Sequence, residues 1–192
     1  DLEQKALAQE TLEKYKEINL LYSLTERTGK CFGLKEVTSS FVEEAIRSLA
    51  ATSASIMLFD EKSEQLEIVA ALGEKSSMPA RLSPGEGIAG RIFSSGKAEV
   101  INDITADERY LSGGNQAKSL ICVPLKNSDE VFGVMNISND APNQYTAADL
   151  KLSTMLGSLA ATAVENIKAQ ERLLKEQLYS KAMAQDLEIG RT

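Results

Sequence analysis

The sequence lacks histidine and tryptophan altogether, and its 192 residues include only two cysteines and four prolines. Without histidine the chain cannot form a His-based catalytic triad, use an imidazole as general base, or build most zinc and haem sites. Cys31 and Cys122 are far apart in the sequence and cannot form a tetrahedral thiolate site alone; Cys122 is expected to be an inert buried thiol. A phosphate-binding loop of the Walker type is also missing. We therefore expect no catalytic residues, no metal and no cofactor.

Long apolar runs and basic clusters are missing as well. The sequence has no signal peptide and no apolar run of about 18 residues, and it uses cysteine as cytosolic proteins do. We expect a cytoplasmic chain without membrane contact. The net charge of −7, the lack of a basic stripe and the few aromatic residues make nucleic acid an unexpected partner. Because the chain begins with Asp1 rather than methionine, we expect it to be a fragment of a longer protein.

The spacing of apolar residues changes along the chain. They recur at helical intervals over 2–28 and 35–51, which predicts two helices. Apolar runs bounded by charged or glycine-containing turns then predict strands. These strands are expected at 53–59, 65–71, 98–101, 119–125 and 130–138. The last two flank a short polar turn and are expected to form a hairpin.

A long helix is expected after this hairpin. Thr146 and Asp149 have the spacing of a capping box, which predicts a helix start. The helical pattern continues to about Leu187. Its first half is apolar enough to pack on a domain, whereas its second half carries Leu174 and Leu178 among charged residues. Such a sparse seam is typical of a two-helix coiled coil.

Successive hairpins bracketed by helices predict an α+β fold. We expect an antiparallel sheet of five to six strands with the flanking helices on one face, followed by the long C-terminal helix. The other face can hold a cavity beneath the loops at 74–95 and 102–117. The expected organisation is an N-terminal signalling and dimerisation helix (1–30), a central domain (31–168) and a coiled-coil linker to an output domain (169–192).

Five segments in this order resemble those of the GAF domain, the ligand-sensing relative of the PAS fold. They are SIMLFD at 55–60, GEGIAG at 85–90, VIND at 100–103, SLICVPL at 119–125 and GVMNI at 133–137. The resemblance covers about residues 18–168. It implies a GAF/PAS-like antiparallel sheet of five to six strands, a pocket roofed by loops, and a homodimer formed through the flanking helices.

The sequence departs from the known GAF subtypes. Cyclic-nucleotide-binding GAF domains carry Asn-Lys, Phe and Asp-Glu where this chain has Asn139-Asp140, Tyr145 and Asp149-Leu150. Asp140 and Leu150 thus replace a lysine and a glutamate, and the ion pair implied by that subtype is lost. The bilin-binding subtype needs a cysteine, usually beside a histidine, and the free methionine-sulfoxide reductase subtype needs several pocket cysteines. This chain provides neither set.

The C-terminal residues 184–191 carry a second resemblance. Their sequence AQDLEIGR is similar to the linker that enters PPM-type serine phosphatases of bacterial stress-response signalling, and also to histidine-kinase linkers. This resemblance implies that the output domain is a serine/threonine phosphatase.

The candidate ligand-binding residues are those expected around the cavity. They are Ser55, Met57, Gly87, Ile88, Asn102, Asp103, Tyr110, Ser119, Ile121, Asn136, Asn139 and Asp149. Structural roles remain open for several: the glycines of 85–90 also permit a tight turn, Asn102 and Asp103 suit Asx turns, and Asp149 suits a helix cap. Asn136 is unusual because asparagine is depleted in strands.

Three functional hypotheses follow. The first is a non-catalytic sensory domain that dimerises through its terminal helices and relays a small-molecule or upstream signal to the output domain. The second is a cyclic-nucleotide-binding regulator of a cyclase or phosphodiesterase. The third is a ligand-free dimerisation spacer, as in a sensor histidine kinase.

Overall fold

The computed structural model describes residues 33–73, 80–111, 117–128, 130–141 and 145–189. The helices in these ranges are α1 (Leu34–Leu49), α2 (Gly87–Ser95) and α3 (Ala147–Ile189), with a 3₁₀ turn at Ile104–Ala106. The strands are β1 (Ser53–Asp60), β2 (Gln65–Gly73), β3 (Arg81–Leu82), β4 (Glu99–Ile101), β5 (Ser119–Lys126) and β6 (Val131–Asn139). The helix predicted at 2–28 and the dimerisation segment 1–30 lie outside the described residues.

The strands form one antiparallel sheet. Its order is β3-β2-β1-β6-β5-β4, so the first and last long strands of the chain pair at the centre. The hairpins β1–β2 and β5–β6 are joined through this central pair. The six-stranded antiparallel sheet confirms the α+β prediction.

One face of the sheet is covered by α1 and α3. Phe41 of α1 and Leu156 of α3 pack against Ile56, Ile121 and Met135 of the sheet, and all five side chains are buried. Successive side chains of a strand point to opposite faces, so these strand residues mark the helix-covered face. The flanking helices therefore share one face, as the sequence predicts.

The opposite face has a second, smaller core. Met57, Cys122 and Val134 of the sheet pack there with Ile92 of α2 and Ile104 of the 3₁₀ turn. Helix α2 has nine residues, too few to cover the whole face at a rise of about 1.5 Å per residue. A cavity lies beside it.

Helix α3 begins at the predicted capping box. The backbone N–H of Thr146 donates to Asp149 Oδ2 (2.8 Å), and the N–H of Asp149 donates to Thr146 Oγ1 (3.3 Å). The helix has 43 residues, and its apolar residues pack on the domain as far as Ile167. Beyond this point Leu174 and Leu178 are exposed. Among the described residues, no helix combines the length and the apolar composition needed to cross a membrane.

Replacement of Leu156 by alanine tests the packing of α3 on the sheet. The side chain is fully buried, so Leu156→Ala should lower the free energy of unfolding by about 2–5 kcal/mol, measured by urea denaturation. Glu171→Ala, at an exposed position of the same helix, is the control and should change it by less than about 0.5 kcal/mol. Equal effects of the two variants would contradict the packing described here.

Candidate ligand cavity

The cavity lies between the sheet, the start of α2 and the segment 104–111. Its volume is about 50 Å³, and since a water needs roughly 10–15 Å³ on this scale, it accommodates about three to five atoms of that size. Most of its wall is apolar and is formed by Leu82, Ile88, Ala89, Ile104, Leu111, Ala117 and Leu120. Gly87, Tyr110, Asn136 and Ser138 complete the lining.

The floor of the cavity is a polar strip on the two central strands. Ser53 and Ser138 are neighbours across β1 and β6, and their hydroxyl oxygens are 2.6 Å apart. Asn136 pairs with Ser55 of β1, and its Nδ2 donates to Ser55 Oγ over a long 3.5 Å. A buried polar strip of this kind is stable only where hydrogen bonds satisfy it.

One atom of this strip lacks a partner. Asn136 is 2% exposed, and its Oδ1 has no hydrogen-bond partner within the described part of the chain. An unsatisfied buried acceptor costs about 1–3 kcal/mol. Asn136 lines the cavity, so a molecule bound there could provide the missing donor.

The start of α2 forms the opposite wall. Its N-cap residue Glu86 does not cap the helix, because the carboxylate instead accepts a hydrogen bond from the Ser83 N–H (2.8 Å). The first-turn N–H groups of a helix have no intrahelical partner, and here that turn comprises Gly87, Ile88 and Ala89, which line the cavity. The wall thus carries hydrogen-bond donors without a charged side chain.

The glycines before α2 have a structural role. Gly85 and Gly87 adopt φ angles of 84° and 64°, a region that favours glycine. A Cβ on Gly90 would lie 2.5 Å from the carbonyl oxygen of Ser83, so only glycine fits. These glycines therefore permit the tight turn into α2.

The segment 104–111 is held at the rim by Arg109. Its guanidinium contacts Glu99 Oε2 of β4 at 2.8 Å and both carboxylate oxygens of Asp107 at 2.9 and 2.7 Å. The hydrogen bonds from Arg109 lower the pKa of Asp107, and the hydrogen bonds to Asp107 and Glu99 raise the pKa of Arg109. These contacts hold the cavity residues Tyr110 and Leu111 against β4.

Four of the twelve predicted residues line the cavity. They are Gly87, Ile88, Tyr110 and Asn136. Ser55 and Met57 lie on the cavity-facing side of β1 but do not line it, since Ser55 contacts Asn136 and Met57 is buried in the core beneath α2.

Three of the predicted polar residues instead form hydrogen bonds with backbone groups. Asn102 donates from Nδ2 to the Tyr145 carbonyl (3.1 Å) and accepts the Tyr145 N–H at Oδ1 (2.8 Å), so both of its amide atoms are engaged. Asp103 Oδ1 accepts the Thr105 N–H (3.1 Å) and caps the 3₁₀ turn. Asn139 joins the Ala50 carbonyl to the Ala141 N–H. None of the three lines the cavity.

The remaining three predicted residues are also displaced from the cavity. Asp149 belongs to the capping box of α3, and the Ser119 hydroxyl donates to the Ala141 carbonyl at 3.4 Å. Ile121 is buried against α1 and α3, on the wrong face of β5.

Among the lining residues that the sequence prediction missed, Ser138 and Leu120 lie on the sheet. The signal that could have found them is the two-residue period: Ser138 lies two positions after Asn136, and Leu120 two before Cys122, which pairs with Asn136. The prediction that Ile121 lines the cavity assumed the opposite orientation of the β5 side chains.

Chemical groups suited to catalysis are sparse at this site. Cys122 is fully buried, and burial raises the pKa of its thiol well above the usual range. The ranges that the structure describes contain no group of three acidic or thiol side chains placed to hold a metal ion.

Comparison with known proteins agrees with this architecture. The chain is 26% identical over 172 residues to a Nif-specific regulatory protein of Azospirillum lipoferum, covering 83% of the chain and 27% of that protein. It is 25% identical over 178 residues to the formate hydrogenlyase transcriptional activator FhlA of Escherichia coli (strain K12), covering 86% and 26% respectively. The chain thus spans about a quarter of the length of these relatives.

A solved structure shares the fold. The GAF domain from an Acinetobacter phosphoenolpyruvate-protein phosphotransferase superposes with a TM-score of 0.72 at 18% identity, covering 80% of this chain and 95% of that one. The family model for the GAF domain matches residues 33–165, which contain the whole sheet, α1, α2 and the first part of α3. This chain belongs to the GAF domain family.

Proposed function

We propose that this GAF domain is a non-catalytic sensor that binds a small molecule beside α2 and relays its presence through α3 to an output domain. The observation that carries the proposal is the buried Oδ1 of Asn136, an acceptor without a partner among the described residues at the floor of a cavity. Such an atom is costly unless something satisfies it.

The two cores offer a route for the signal. Leu120 of β5 lines the cavity, while its neighbours Ile121 and Val123 pack in the core that contains α3. A displacement of β5 would therefore move side chains on both faces of the sheet. A ligand shifts the position of α3 only if it binds two arrangements of the domain, which differ in that position, with different affinity.

The exposed part of α3 supports a homodimer. Leu173, Leu174, Leu178 and Tyr179 are each more than half exposed, which is unusual for large apolar side chains on one helix of a soluble protein. We propose that this segment pairs with its copy in a second chain, together with residues 1–30. Rotation or a shift of register between the paired helices would carry the signal.

The output domain is part of the proposal. The resemblance of 184–191 to phosphatase linkers favours a serine/threonine phosphatase, whereas the two curated relatives bear the names of a regulatory protein and a transcriptional activator. The sensory role proposed for this domain is the same in either case. A cytoplasmic location fits both.

The cavity does not favour the cyclic-nucleotide hypothesis. Ligand pockets for drug-sized molecules have volumes of about 300–1,000 Å³, whereas this cavity has about 50 Å³. Asp149, which the nucleotide-binding motif would use beside the pocket, is engaged in the helix cap.

A cavity-filling variant tests the sensory role. A library of molecules with up to about six heavy atoms, screened by ligand-observed NMR, should contain binders of the wild-type chain. Ala117→Leu adds three carbon atoms to the cavity wall and should abolish that binding, whereas Ala147→Leu at the exposed start of α3 should not. If no molecule binds the wild type, the sensory proposal fails.

Charge placed on α3 tests the dimer. The double variant Leu174→Glu with Leu178→Glu should sediment as a monomer where the wild type sediments as a dimer, because carboxylates would replace the exposed apolar seam. The paired control Ala169→Glu with Ser180→Glu, at exposed positions away from that seam, should remain dimeric. A wild-type chain that is a strict monomer at high micromolar concentration would overturn the proposal.

The reactivity of the Cys122 thiol tests whether this residue is inert. In a Cys31→Ser background, Cys122 should not react with Ellman's reagent in the folded protein, because burial raises the pKa of its thiol. The fold favours the protonated thiol, so the free energy of unfolding should fall as the pH rises above about 8.5, where the thiol ionises in the unfolded chain. Cys122→Ala should lack this component. Rapid labelling of the native thiol would contradict the assignment.

A further inference from the structure

We propose that the ligand of this cavity is a compact, uncharged molecule that carries an N–H donor next to a carbonyl acceptor, such as a primary carboxamide or a urea. The proposal rests on the sensory function proposed above and names the chemistry that the site would recognise. It follows from one acceptor on the floor, donors on the opposite wall, and the lack of charged side chains among the described lining residues.

The floor requires a donor. Asn136 Oδ1 is buried and lacks a partner in the described ranges, while its Nδ2 already faces Ser55 Oγ. The other polar group of the floor, the Ser138 hydroxyl, lies 2.6 Å from Ser53 Oγ. A ligand therefore gains most by presenting an N–H or O–H to Asn136, because that contact removes the cost of an unsatisfied acceptor.

The wall formed by α2 requires an acceptor. Gly87, Ile88 and Ala89 of its first turn line the cavity, and the side chain of the N-cap residue Glu86 does not cap their N–H groups. A carbonyl oxygen satisfies such donors and is favoured by the positive end of the helix dipole. Together with Asn136, this wall selects a molecule that has both a donor and an acceptor.

The lining argues against a charged ligand. Its described residues include no lysine, arginine, aspartate or glutamate. Arg109, which precedes the lining residues Tyr110 and Leu111, is engaged by Asp107 and Glu99. A carboxylate in the cavity would turn an oxygen towards Asn136 Oδ1 without a cation to offset its desolvation, and burial of an unpaired charge is costly.

Three molecules of equal size separate these possibilities. Acetamide has a donor and an acceptor, acetone has the acceptor alone, and acetate has the acceptor and a negative charge; each has four non-hydrogen atoms, which fits about three to five water-sized positions. We would titrate each into the ¹⁵N-labelled 192-residue chain and follow the amide signals of Ala89 and the side-chain signal of Asn136. Ligands of this size bind no tighter than tens of micromolar.

Acetamide is expected to shift these signals in a saturable way. Acetone and acetate should bind at least about tenfold more weakly, because each leaves the Asn136 acceptor unsatisfied. Asn136→Leu should weaken acetamide binding by a similar factor and reduce its preference over acetone. Asn136→Thr is a second variant in case leucine disturbs the sheet, and Asn166→Leu, exposed on α3, should bind acetamide as the wild type does.

The outcomes distinguish the two proposals. If acetate or acetone binds in this cavity as tightly as acetamide, the ligand chemistry proposed here is wrong while the sensory function stands. Saturable acetamide binding that Asn136→Leu and Asn136→Thr leave unchanged would also overturn it. If acetamide fails to bind but another molecule of the library does, only the ligand class fails. If nothing binds, the cavity holds ordered water only, and both proposals fall.

Discussion

The structure depends on the alternation of side chains along its central strands. Within β1, β5 and β6, alternate residues enter two different cores, one beneath α1 and α3 and one beneath α2. The larger core contains side chains such as Ile56 and Met135, whereas the other face carries Ser55 and Asn136 at the next positions along the same strands. Two buried faces on one sheet leave each strand little freedom of register, because a slip of one residue would exchange the two sets. The pairing of these central strands therefore sets the register of the sheet.

The polar strip on the cavity side carries an energetic cost in the middle of a sheet. Ser53, Ser138 and Ser55 find partners within the strip, and Asn136 is left with an acceptor that no described residue satisfies. In a domain with no bound molecule, an apolar residue at position 136 would give a more stable fold. Asn136 pairs with residues of both β1 and β5. A contact made to Asn136 therefore acts on strands whose opposite side chains pack in the core that contains α3.

Much of the fold could be predicted from the sequence, but less of the site. The five predicted strands, the hairpins and the capping box of Thr146 and Asp149 depend on residues close together in the chain, and the structure confirms them, whereas β3 lies in a segment expected as a loop. Of the predicted binding residues, Gly87, Ile88, Tyr110 and Asn136 line the cavity. Asn102 and Asn139 do not, because their side chains bond backbone 43 and 89 residues away, at Tyr145 and Ala50.

The sequence by itself determined the class of fold, since the order of apolar strands and helices defines the α+β sheet. Only the tertiary structure decided which face of β5 meets the cavity, and so why Leu120 rather than Ile121 lines it. The physical reason is that both faces of this strand are buried. An apolar run then has no polar alternation to reveal its orientation, and the register against Asn136 settles it.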